Sequence, residues 1–194
     1  MSIPVITISR EYGSGGRAIG ERLAKELGIP FYDKELIFMA AKESGLSEEY
    51  IKKTEQMKST SFLYGLYMGA QQLPMNDQIF LVQSKIIRQV ASEGPCVIVG
   101  RCADYSMKDR PDCLHVFIHA DNAHRAARIR ERYGETKQPM EKRLQEKDSK
   151  RKVYYKHYTN RNWGEAGNYD VCLDSGTLGV DKCVDIVCDI AEMA

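Results

Sequence analysis

From Val5 to Ile8 the chain is β-branched at every position, with Thr7 the only polar residue, the pattern of a strand covered on both faces. The glycine-rich turn Gly13-Ser14-Gly15-Gly16 follows. From Arg17 the apolar period changes: Ile19, Leu23 and Leu27 recur every fourth residue, which predicts an amphipathic helix stopped by Gly28 and Pro30. Further on, Ile79, Val82, Ile86 and Val90 predict a second amphipathic helix, ended by Gly94-Pro95. Cys96–Val99 and Leu114–Ile118 read as buried strands and Asp170–Leu173 as a short last one. Between them, Asp121 or Asn122 caps a helix that runs to Tyr133 and stops at Gly134. Pro139 opens a long charged helix to about Tyr158, and Val180, Val184, Val187 and Ala191 form a closing helix. Strands alternating with helices predict a parallel sheet covered on both faces.

The stretch from Asp33 to about residue 93 reads as mostly helical, with Asp33 capping a helix through Lys42 and Ser47 capping another. Ser59–Asn76 has no clean period and reads as an irregular part of a substrate-covering region.

The chain has 194 residues, room for one domain with a full core. Lys and Arg total 28 against 27 Asp and Glu, so bulk charge gives no reason to expect a nucleic acid or a membrane surface as partner. No stretch reaches the ~18 apolar residues of a membrane span, and no secretory leader pattern is visible. The six cysteines form no CxxC pair and read as free, buried thiols in a cytoplasmic protein. His115, His119, His124 and His157 lack metal-ligand spacing and read as structural or surface residues.

Chemistry concentrates at the glycine-rich turn. Backbone that wraps phosphate oxygens needs positions without a Cβ, and some of them need positive φ. Successive N–H groups and the positive end of the following helix then bind the anion. Arg17 stands at that helix start, where the dipole disfavours a cation unless an anion is bound. Gly13, Ser14, Gly15, Gly16, Arg17 and Ala18 are therefore the candidate phosphate cradle.

The segment Ile6-Thr7-Ile8-Ser9-Arg10-Glu11-Tyr12-Gly13-Ser14-Gly15-Gly16-Arg17 resembles the start of the cytidylate kinase-like family. Val97-Ile98-Val99-Gly100-Arg101 is similar to that family's third strand with its Gly-Arg. Ala120–Arg128 looks like its arginine helix, and Cys172–Leu178 like its nucleotide-base loop. The resemblance implies a three-layer α/β P-loop NTPase fold in one domain, residues 1–194, with a five-stranded parallel sheet flanked by helices. It also implies a helical acceptor-binding region over 33–94 and a lid over 134–164. The expected activity is ATP-dependent phosphoryl transfer, with Mg²⁺, to a nucleoside monophosphate such as CMP or dCMP. Small-molecule nucleotides are the expected partners.

Against the motif GxxxxGK[ST], this chain aligns Glu11 with the first glycine, Arg17 with the lysine and Ala18 with the hydroxyl residue. Val99 stands where cytidylate kinases carry an Asp before Gly-Arg. Asp33 is kept at the acceptor site, Lys34 replaces a Ser, and Met39 stands where an Arg would be. Ala18 offers no oxygen to Mg²⁺, which leaves Glu11, Asp33 or water to supply ligands.

Phosphoryl transfer needs cations around three equatorial oxygens. Arg101, Arg125, Arg128, Arg132 and Arg151 are the candidates. The resemblance assigns catalysis to Arg17, Arg128 and Arg151, and acceptor binding to Asp33, Lys34, Arg101 and Asp148. Asp148 and Arg151 match its lid motif DxxR. Tyr154, Tyr155, Tyr158 and Trp163 read as packing between lid and core. Two other readings stay open: a nucleotide-binding module with little turnover, motivated by Ala18, Val99 and Met39, and a P-loop kinase of a non-nucleotide metabolite, allowed by Lys34 and Met39.

Overall fold

The computed structural model describes residues 4–33, 39, 75–134 and 138–193. Lys34 and the two helices expected from Lys34 to about residue 74 lie outside these residues. The elements are β1 (Val5–Arg10), α1 (Gly16–Leu27), β2 (Phe31–Tyr32), α2 (Met75–Glu93), β3 (Val97–Val99), α3 (Ala103–Ser106), β4 (Cys113–His119), α4 (Asn122–Tyr133), α5 (Met140–Thr159), β5 (Val171–Asp174) and α6 (Ser175–Met193). A single 3-10 turn, Ala166–Asn168, precedes β5.

The five strands form one parallel sheet in the order β2-β3-β1-β4-β5. With β1 central, its carboxyl end opens beside those of β3 and β4. Alternation along the strands sends side chains to two cores. Ile6, Ile8, Val97 and Val99 pack with Ile19 and Leu23 of α1 and Val184 and Val187 of α6. Val5 and Ile98 face the other way, onto Ile79, Ile86, Ile87 and Val90 of α2. Each fully buried Ile, Leu or Val contributes roughly 1.5–3 kcal/mol, so both helical layers are held mainly by these stripes.

The terminators behave as their chemistry requires. Gly28 closes α1 at φ 65, and Asp121 caps α4 by accepting the His124 N–H at 2.9 Å. Several boundaries differ from the sequence reading. β1 runs two residues past Ile8, because Ser9 and Arg10 continue the ladder with Phe117 and Ile118 of β4. Met75 and Asn76 already belong to α2. α6 starts at Ser175 rather than near Val180, with a break at Gly179 (φ 77, ψ 165). No described helix is long and apolar enough to cross a membrane.

Candidate active site

β1 ends at Arg10 and α1 starts at Gly16, so five residues make the turn. Gly13 and Gly15 both sit at φ 83, where a Cβ is strained. The Ser14 hydroxyl and N–H both donate to the Glu11 carbonyl, at 3.0 and 3.3 Å. The first bond of α1 runs from the Ile19 N–H to the Gly15 carbonyl at 3.0 Å. Gly16, Arg17 and Ala18 therefore present first-turn N–H groups outward, as an anion cradle does.

The underside of this nest is fastened by charged groups from distant elements. The Arg125 guanidinium is 5% exposed, donates to the Tyr12 carbonyl at 2.8 Å and pairs with Asp148 and, at 3.3 Å, with Glu11. Asp148 also accepts the Tyr12 N–H at 2.8 Å. Glu11 accepts the Ala120 N–H at 3.2 Å. Arg128 donates to the carbonyls of Gly13 (3.0 Å) and Ser175 (3.3 Å). The buried Ser175 hydroxyl is shared between the carbonyls of Ser14 and of His119. Arg132 is exposed beside Tyr133, on the solvated side of α4.

Arg17 turns along α1. Its Nη2 lies 2.9 Å from Glu21, and its Nε lies 2.8 Å from Asp33, a charge contact whose N–H is not aligned for a hydrogen bond. Arg10 approaches the same Asp33 at 3.7 Å. Arg151 donates to the Arg10 carbonyl at 2.9 Å and lies 3.5 Å from Asp148. Arg101 is held in a left-handed turn, with Gly100, Arg101 and Cys102 at φ 80, 60 and 52. Two consecutive non-glycine residues in that region are strained, and such strain collects at functional sites.

Next to the nest, at the carboxyl ends of β1 and β3, is a cavity of about 290 Å³. Arg10, Arg101, Lys150 and Arg151 line it together with Ser9, Tyr154, Tyr155 and Trp163, and among the described residues none of the lining is acidic. This is where open parallel sheets bind ligands. Behind it lies buried Asp104, which accepts from Ser9 Oγ at 3.3 Å and from the Tyr155 hydroxyl at 2.6 Å. Burial pushes the Asp104 carboxyl up, and the two hydrogen bonds hold that rise back.

With the nest and the cationic cavity in place, the sequence pattern of the cytidylate kinase-like family matches residues 5–177. The chain belongs to that family. Cytidylate kinase from Methanopyrus kandleri is 25% identical over 193 residues, which cover 94% of this chain and 90% of that protein. The crystal structure of an uncharacterized protein from Eubacterium ventriosum is 27% identical, with a TM-score of 0.74 over 98% of this chain and 99% of that one. Shikimate kinase from Bacteroides thetaiotaomicron, 10% identical, aligns with a TM-score of 0.58 over 97% of this chain and 98% of its own. That distant likeness shows the P-loop kinase fold alone. Family membership supports a phosphotransferase.

The turn packs tightly on the rest of the fold: Cβ atoms on Gly13 or Gly15 would crowd Ile129 and Arg128. P-loop kinases in general use ATP with Mg²⁺. Residues that would hold the metal fit poorly: Ala18 has no oxygen, Glu11 is tied to Ala120 and Arg125, and Asp33 faces two arginines. Among the described residues no group of three His, Cys, Asp or Glu side chains is arranged for a metal. Val99 is fully buried in the α1-side core, away from the cavity. The cysteines are unpaired, as expected, but Cys172 is exposed on the edge strand β5 rather than buried.

Sequence reasoning overlooked Arg10, Ser175 and Asp104. Arg10 alone carried a signal: a cation ending a buried strand directly before a phosphate-type turn. Arg125 is a candidate phosphate cation in the sequence, whereas its guanidinium is committed beneath the nest.

Proposed function

We propose that the chain transfers the γ-phosphoryl of ATP to a nucleoside monophosphate, most simply CMP or dCMP. The observation that carries this reading is the cavity beside the nest: four cations, no carboxylate among the described lining residues, and aromatic walls from Tyr154 and Trp163. A dianionic phosphate monoester bearing a flat base suits that chemistry. The relative named cytidylate kinase supports the choice of acceptor. Residues 33–94 then form the acceptor-binding region and 134–164 the lid.

The N–H groups of Gly13 to Ala18 hold the donor phosphates. Arg101 and Lys150 bind the acceptor phosphate, with Asp33 and Lys34 completing its site. Arg151, anchored to the β1 terminus, covers the transferred group, and Arg128 keeps the nest in shape through the Gly13 carbonyl. The bond from Pγ to the β-bridging oxygen breaks as an acceptor phosphate oxygen bonds to Pγ, and ADP leaves. No general base is needed, because a phosphate monoester, with a second pKa near ~6, is already anionic at neutral pH. Positioning and exclusion of water supply the rate.

The test is coupled ADP release over all ribo- and deoxyribonucleoside monophosphates, with gluconate and shikimate as alcohol acceptors. CMP or dCMP should give the highest kcat/KM. Transfer only to an alcohol would replace the acceptor, and ATP binding without transfer to any acceptor would leave a nucleotide-binding module.

A further inference from the structure

Arg10 is the last residue of β1, and its side chain passes between two glycines. A Cβ on Gly16 would lie 2.5 Å from Arg10 Cβ and 2.9 Å from Cγ. A Cβ on Gly100 would overlap Arg10 Nη1 and lie 3.0 Å from Cζ. The first position of α1 and the residue just after β3 must therefore both lack side chains for Arg10 to fit. Its guanidinium emerges into the cavity wall, one short step from the nest.

The charges around the two nearby arginines differ. Arg17 has Glu21 at 2.9 Å and Asp33 at 2.8 Å, so its charge is balanced within the protein. Arg10 has Asp33 at 3.7 Å, beyond hydrogen-bond reach, and is crowded by Arg151, Arg101 and Arg17. Burial foremost, then those cations, push its pKa down to about 9 against the opposing pull of Asp33. A guanidinium stays charged in proteins, and among the described residues Asp33, at 3.7 Å, is the carboxylate paired with Arg10.

We propose that the phosphate-neutralising cation of this P-loop is Arg10 and not Arg17. It enters from the end of β1, over Gly16, instead of from the helix, and stands between the donor nest and the acceptor cavity. Its planar fork can bridge oxygens of the donor and the transferred phosphoryl at once. Arg17 becomes a positioning residue that holds Asp33 2.8 Å away on its own Nε, leaving Asp33 3.7 Å from the Arg10 guanidinium. The inference rests on the phosphoryl-transfer reading only in its catalytic part; its anion-binding part stands without it.

The experiment is calorimetric titration of the full chain with inorganic tripolyphosphate and with ATP, alongside thermal unfolding without ligand. Arg10→Met should weaken both ligands by about 30-fold, the loss of a charge-assisted contact. Without ligand it should unfold at the same temperature as the native chain or higher, because like-charge crowding is relieved. Tripolyphosphate affinity within about threefold of native would overturn the proposal, whatever happens to the unfolding temperature. Should Arg10→Met not fold, Arg10→Gln decides: it keeps a polar stem between Gly16 and Gly100 and removes the charge. A loss of about tenfold supports the proposal and unchanged affinity rejects it. ADP release on the same proteins separates the two readings. A native chain that binds tripolyphosphate through Arg10 yet transfers to no acceptor sinks the kinase reading alone. A native chain that transfers, with Arg10→Met its equal, sinks the Arg10 assignment alone.

Discussion

Asp104 is 3% exposed beneath the cavity, and its carboxylate accepts from the hydroxyls of Ser9 and Tyr155. Burial raises its pKa above the ordinary 3.8, which the hydrogen bonds only partly offset. An Asp with a raised folded pKa binds its proton more tightly folded than unfolded. Between 3.8 and that raised value the native state holds more protons, so stability falls as pH climbs through this window. Below it both states are protonated and the effect vanishes. Asp104→Asn removes the titrating group, so the variant should gain on the native chain as pH rises from about 4 to 7. Urea unfolding at half-unit pH steps measures the difference, and a difference that stays constant across the range would refute the assignment. The same carboxylate raises the Tyr155 phenol, after burial itself, so Tyr155 keeps its proton at neutral pH.

At the scale of elements, positive-φ glycines serve two purposes that one pair of substitutions separates. Gly28, at φ 65 with nothing near its missing Cβ, only ends α1. Gly13, at φ 83, would place a Cβ 2.8 Å from Ile129 Cδ1 and 3.0 Å from the Arg125 carbonyl. Gly28→Ala should cost about 1 kcal/mol and leave ATP affinity unchanged. Gly13→Ala adds overpacking to the backbone strain, about 3 kcal/mol in all, and should weaken ATP at least tenfold. Denaturant melts and ATP titration check both, and equal effects would mean that the turn is not a nest. These local features were legible in the chain, because the glycine turn, the Asp121 cap and the Gly134 stop each depend on neighbours a few residues away. The direction of an arginine was not. Arg10 and Arg17 carry one charge each, and what separates them is the channel between Gly16 and Gly100, joined only by folding. Nor was the seating of α5 legible: it buries Leu144, Asp148, Tyr155 and Thr159, too mixed a set to show as an apolar stripe.

Across the whole molecule, Asp148 is where three remote segments meet. It accepts the Tyr12 N–H of the nest, pairs with buried Arg125 of α4, and lies beside Arg151 of its own helix. The family resemblance gives this residue a role toward the acceptor, and its position in the fold gives a different one, that of a strut joining lid helix to nest. Asp148→Asn distinguishes them. An amide can still accept from Tyr12, but it cannot neutralise Arg125, which would be left with Glu11 at 3.3 Å as its remaining carboxylate. Removing one partner of a buried pair costs about 3 kcal/mol, so the strut predicts that loss in urea unfolding. It also predicts a fall in ATP affinity, because the nest loses its underside. A residue serving only the acceptor would instead raise the acceptor KM, with stability and ATP affinity intact. Since Arg151 reaches the cavity from the same turn of α5, loosening this joint should also lower kcat, coupling the donor and acceptor halves of the site through one carboxylate.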